Sequence, residues 1–137
     1  MVEVWRLTSL NTGVKRNLAR KLGAVNLDIR QSGAVCILKL KGRLVGGEGV
    51  SRFENAFQQA LAGGHIFLVL DLEELPFVDS SGIGSVVNAL RQTNKLGGTV
   101  KLVNPSPFVS KTFKMVGILS LFGIYHSEAE AVATCGA

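Results

Sequence analysis

The sequence predicts a single α/β domain in which a mixed central sheet is flanked by helices, with the element order ββαβαβαβα. Three observations predict it: a continuous β-branched and apolar run, Ile66-Phe67-Leu68-Val69-Leu70; apolar stripes at helical spacing on either side of that run; and glycine or proline punctuation between the segments. Strand–helix–strand units repeated along a chain force parallel neighbours in the sheet and right-handed crossovers. A chain of 137 residues, 47% hydrophobic and 18% charged, is globular and buries a core without staples.

Residues 1–24 read as a basic N-terminal extension, with a weakly patterned short helix around Val14–Leu22. The expected domain is 25–137. Val25–Arg30 alternates apolar and polar residues, Gln31-Ser32-Gly33 supplies a turn, and Ala34–Leu40 completes a hairpin. A glycine cluster follows (Gly42, Gly46, Gly47, Gly49). Val50, Phe53, Phe57, Ala60 and Leu61 then recur at helical spacing, and Gly63-Gly64 stops that helix. Ile66–Leu70 is a central strand covered on both faces. Glu73–Val78 reads as a loop. A second helix begins near Ser80, with Ile83, Val86, Val87 and Leu90 as its stripe and Gly97-Gly98 as its stop. Thr99–Val103 is another strand. Asn104-Pro105-Ser106-Pro107 turns into a third helix whose stripe is Phe108, Val109, Thr112, Phe113 and Val116. Ile124–His126 is the last strand, and Ser127 with Glu130 makes a capping box for a final short helix.

Composition narrows the function classes. The run Ile66–Leu70 ends at Asp71, far short of the roughly 20 residues a membrane span needs. Met1–Leu10 holds Glu3 and Arg6 without a long apolar stretch, so it does not read as a secretory signal, and a reducing cytoplasm is expected. Cys36 lies in an apolar run and Cys135 near the C-terminus, and His65 and His126 are not spaced as ligands. No disulfide, metal or cofactor is expected. The net charge of +5 is uneven: residues 1–43 carry nine Lys/Arg against Glu3 and Asp28, whereas residues 44–137 carry six against eight acids. The cations Lys15, Arg16, Arg20 and Lys21 lack interleaved aromatics for stacking on bases, so a solvated basic segment is preferred over a nucleic-acid or anionic-lipid contact.

Only Val78-Asp79-Ser80-Ser81-Gly82-Ile83-Gly84 carries chemistry beyond folding. It falls where a buried strand ends and a helix starts, which makes Ser80 the expected N-cap. Gly82 and Gly84 strip side chains from the first turn and let another protein approach. A phosphate on Ser80 would meet free helix amides and the positive end of the dipole, so the fold would tolerate it. It would also bring a charge of roughly −1.5 to −2 beside Asp79, and a partner packed there would be repelled. From the residues alone, a plain helix cap explains Asp79-Ser80 as well as a functional site does.

Leu68–Gly84, LVLDLEELPFVDSSGIG, resembles the signature of the STAS domain (sulphate transporter and anti-sigma factor antagonist), in which a strand ending in "DL" leads through "FVDSSGLG" to a helix. The similarity extends over roughly 25–135. Leu38–Leu44 resembles the family's second strand, Gly97–Asn104 its late strand, and Phe113–Ile118 its "f...gl" helix end. The resemblance implies an anti-sigma factor antagonist, a partner-switching regulator of transcription. Such a protein binds an anti-sigma factor that is also a serine kinase, and so frees a sigma factor. Phosphorylation of Ser80 from the kinase's ATP would release it, and a PP2C-type phosphatase would restore it. Asp79 would poise the serine, while Ser81, Gly82, Ile83 and Gly84 would form the docking surface. Antagonists often carry an acidic residue after the second-strand motif, where this chain has Val45.

An enzyme is disfavoured. The third glycine of a dinucleotide fingerprint would fall at Val87, no Walker run exists, and Ser80 lacks a G-x-S-x-G elbow. His65, at the far end of the sheet, is a poor base for Ser80. The remaining rival is a scaffold or binding subunit of a larger signalling or transport assembly, with Ser80 never phosphorylated.

Overall fold

A computed structural model describes residues 25–135. The elements are β1 (Asn26–Ser32), β2 (Val35–Leu44), α1 (Glu48–Ala62), β3 (Phe67–Val78), α2 (Ser80–Lys95), β4 (Thr99–Val103), α3 (Pro107–Met115), a 3-10 turn (Leu119–Leu121), β5 (Gly123–Tyr125) and α4 (Glu128–Ala133). The order is the expected ββαβαβαβα. The sheet runs β1-β2-β3-β4-β5, with β1 antiparallel to β2 and every other neighbour parallel. The extension 1–24, with its short helix around Val14–Leu22, lies outside the described residues.

Strand alternation decides what each face buries. Cys36, Leu38 and Leu40 of β2 and Leu68, Leu70, Leu72 and Leu75 of β3 join Phe53 and Phe57 of α1, Val86 and Ala89 of α2, and Val109 and Phe113 of α3 in the main core. Fully burying one such apolar side chain stabilises by about 1.5–3 kcal/mol. The opposite face is thinner: Val35, Ile37, Val69 and Val103 pack against Ala131 of α4 and Cys135. β3 is therefore covered on both faces over its first half, as its unbroken apolar run implies. Both cysteines are buried free thiols.

Three expectations are corrected. Glu73–Val78 is not a loop but the second half of the twelve-residue β3. The register with β2 shifts twice, between Lys39 and Lys41 and between Lys41 and Arg43, and these irregularities break the alternation that marks a strand. β4 pairs with β3 only as far as Asp71, so beyond it β3 is bonded on one side and tolerates Pro76. In α3 only Val109 and Phe113 of the proposed stripe are buried, whereas Phe108 and Val116 are exposed. The last strand is Gly123–Tyr125, one residue earlier than read. The final cap holds in part: Ser127 Oγ accepts from the Glu130 amide at 3.1 Å, and Glu130 Oε1 accepts from the His126 amide rather than from that of Ser127.

Candidate functional site

The end of β3 and the start of α2 meet the loop after β2 at Asp79. Its amide donates to the Leu44 carbonyl at 3.2 Å, which continues the β2–β3 pairing by one residue. Its backbone is extended, and its side chain caps α2, Oδ1 accepting from the Gly82 amide at 2.8 Å. The other oxygen, Oδ2, accepts from the Gly46 amide at 3.0 Å. One carboxylate thus ties two loops together. The Gly46 and Gly82 amides hold its pKa below the ordinary aspartate value, so it stays ionised near neutral pH. Gly47, with φ 87, starts α1 and turns the chain there in a conformation that disfavours any side chain.

Ser80 is the exposed first residue of α2 and Ser81 beside it is also exposed. The expectation that Ser80 caps the helix is wrong by one residue. A carboxylate at Asp79 competes for the same amide, and the charge-assisted bond wins. The Gly82 amide is consequently not free to greet a phosphate. Gly82 also differs from its expected role. It is buried, and a Cβ there would stand 2.3 Å from the Leu44 carbonyl oxygen and 2.5 Å from Val78 Cγ2. It is glycine because β2 and α2 touch at that point, not because a partner must reach it. Ile83 is half-buried and packs against the main core. Gly84 faces open space. The structure brings Asp79, Ser80, Ser81 and Gly84 to one surface and takes Gly82 inside.

Sequence reasoning missed two neighbours. A Cβ on Gly46 would lie 3.2 Å from Ser81 Oγ, so the glycine loop is packed directly against the serine pair. The Arg43 guanidinium sits 4.7 Å above the Phe77 ring, which stacks on Phe108 at 5.1 Å. Phe108 in the α3 stripe was the available signal, but helical periodicity assigned it to the core. His65 hydrogen-bonds Gln31 at 2.8 Å just before β3 begins, and Ser80 follows its far end, roughly 36 Å of strand away. Among the described residues no cluster of three or more His, Cys, Asp or Glu could hold a metal ion, and no helix is long and apolar enough to cross a membrane.

Comparison with known proteins places this geometry. The STAS domain family model matches residues 26–131. An anti-sigma F factor antagonist of Paenibacillus polymyxa is 32% identical over 65 residues, covering 47% of this chain and 56% of that protein. One from Lysinibacillus sphaericus is 39% identical over 51 residues, covering 37% and 44% respectively, so these matches span about half of the relatives' own lengths. Among solved structures, the Bacillus cell-fate determinant SpoIIAA in its phosphorylated form superposes with a TM-score of 0.65 at 28% identity, covering 80% of this chain and 97% of that one. Its unphosphorylated form gives 0.68 at the same identity, covering 80% and 93%.

Proposed function

Because the chain belongs to the STAS domain family, we propose that it is an anti-sigma factor antagonist whose contact with its partner is switched by phosphorylation of Ser80. One observation carries the reading: an exposed serine, Ser80, directly follows a carboxylate that clamps two loops, so its backbone position is fixed at an accessible surface. The partner is an anti-sigma factor with serine kinase activity, and a PP2C-type phosphatase resets the switch in the cytoplasm. Asp79 positions the serine. Ser81, Ile83 and Gly84 supply docking surface, and Gly82 acts from inside by fixing the approach of β2 to α2. A phosphate at Ser80 adds bulk and roughly two negative charges beside an ionised Asp79, in a site where burial under a partner would be costly. Ser80 is exposed, so a phosphate there displaces no core side chain.

The test uses the protein with a cognate anti-sigma kinase. ATP should add one phosphate, located at Ser80 by mass spectrometry. Ser80→Ala should stay folded and bind permanently, and Ser80→Asp should stay folded and bind weakly. Wild-type binding by both variants would refute the switch.

A further inference from the structure

β1 is the longer of the two sheet edges: it spans seven residues and pairs with β2 alone, whereas the opposite edge, β5, has three. The hairpin fixes which of its backbone groups face outward. Ser32 pairs with Val35 across the two-residue turn Gly33-Ala34, where Gly33 has φ 61, and residues flanking such a turn bond each other through the backbone. Antiparallel pairs alternate, so Arg30, Asp28 and Asn26 also bond to β2. Leu27, Ile29 and Gln31 therefore point their N–H and C=O groups away from it. No backbone bond from another described segment reaches those three residues. Such a row of outward groups is a template for a further strand.

Side chains narrow what that strand can be. Ile29, on the face of the main core, is 40% exposed. Asp28 and Arg30 flank it on the opposite face with opposite charges. Their contacts within the chain, to Lys41 at 3.2 Å and to Glu128 at 2.7 Å, leave both side chains partly exposed. α4 packs mainly over β3, β4 and β5, away from this edge.

An antiparallel second copy centred on Ile29 satisfies these constraints together. Ile29 then faces Ile29 of the second copy, and Leu27 and Gln31 face each other on either side, so the outward residues meet as hydrogen-bonded pairs. Asp28 stands opposite Arg30 of the second copy, and Arg30 opposite its Asp28, where opposite charges attract. The adjacent registers would instead set Asp28 on Asp28 or Arg30 on Arg30. We propose that this protein self-associates through its β1 edge, two copies pairing antiparallel about Ile29 so that their sheets become continuous. The pairing does not depend on the switch at Ser80. Seven residues a side is far fewer than the roughly 20–30 of a standard interface, so the dimer is weak and forms at high protein concentration.

The full chain is followed by sedimentation equilibrium and amide hydrogen exchange from dilute to millimolar concentration. Its average mass should rise toward twice that of the monomer, and the Leu27, Ile29 and Gln31 amides should become protected over the same range. Ile29→Pro removes an N–H that β2 does not use, so the hairpin should survive while the dimer weakens about tenfold or more. Asp28→Lys and Arg30→Glu should each self-associate more weakly than wild type. Their equimolar mixture should associate, because every facing pair in the mixed dimer is opposite in charge. Circular dichroism checks the fold of each variant, and Ile29→Pro decides if a charge variant does not fold. A monomer at every concentration overturns the proposal, as does association that Ile29→Pro leaves unchanged. Protection of the three amides at every dilution also overturns it, since the edge would then be occupied within one chain.

Discussion

One buried carboxyl group, Asp71, should contribute more stability at mildly acidic pH than at pH 8, against the trend of the carboxylates whose pKa values are held down. It lies on the thinner face of β3, only 4% exposed, and hydrogen-bonds the Glu128 side chain of α4. Burial first, and then the Glu128 contact, push its pKa up to about 6 from an ordinary 3.8, against opposing pulls from the Glu73 amide and Lys39. Glu128 moves the other way, held down by Asp71 and by Arg30, whose Nη2 stands 2.7 and 2.8 Å from its two oxygens. Below about pH 6 Asp71 therefore carries the proton and donates it to ionised Glu128. The folded-state pKa is raised, so folded protein holds this proton more tightly than unfolded chain does. The stability it contributes is present in full below about pH 4 and is lost as pH rises through about 6. Two units at 1.36 kcal/mol each set a ceiling of roughly 3 kcal/mol. Asp71→Asn keeps a donor toward Glu128 and an acceptor for the Glu73 amide but cannot ionise. Urea unfolding by circular dichroism should show the variant close to wild type at pH 4.5 and about 2–3 kcal/mol more stable at pH 8. Since other carboxylates titrate in both proteins, the difference between them is the quantity to read. A gap that stays constant across that range would refute the assignment of the proton to Asp71.

The two glycines of the switch should respond in opposite directions. Gly82→Ala forces a methyl group into the Leu44 carbonyl and Val78, so a loss of about 1–3 kcal/mol or more is expected in thermal unfolding, and an unchanged melting temperature would contradict the packing. Gly84→Ala meets open space within a helix and should gain about 0.5–1 kcal/mol while weakening partner binding; undiminished affinity in a titration would remove Gly84 from the docking surface. Asp79→Ala removes a cap worth about 1 kcal/mol and frees the Gly46 loop, which faster amide hydrogen exchange at residues 45–47 should reveal. Phe53→Ala, at a fully buried ring of α1, should cost about 3–5 kcal/mol by urea titration.

Periodicity and punctuation carried the fold a long way. The apolar run at Ile66–Leu70, the helical stripe through Phe53 and Phe57, and the glycine pairs at 63–64 and 97–98 each reflect a local rule about which side of an element meets the core. The motif around Ser80 was likewise local, because a helix start leaves its signature within a few consecutive residues. What could not be read locally was every contact between distant segments. Asp79 caps the helix through the nearby Gly82 amide, but its second bond, to the Gly46 amide 33 residues earlier, is one that no local pattern announces. Gly82 turned inward because β2 delivers the Leu44 carbonyl to that point, and Glu73–Val78 became strand because β2 supplies a partner that absorbs two register shifts. Sequence alone determined the order of strands and helices and located the switch segment. Tertiary structure decided which atoms of that segment face solvent, since exposure depends on what the rest of the chain packs against it.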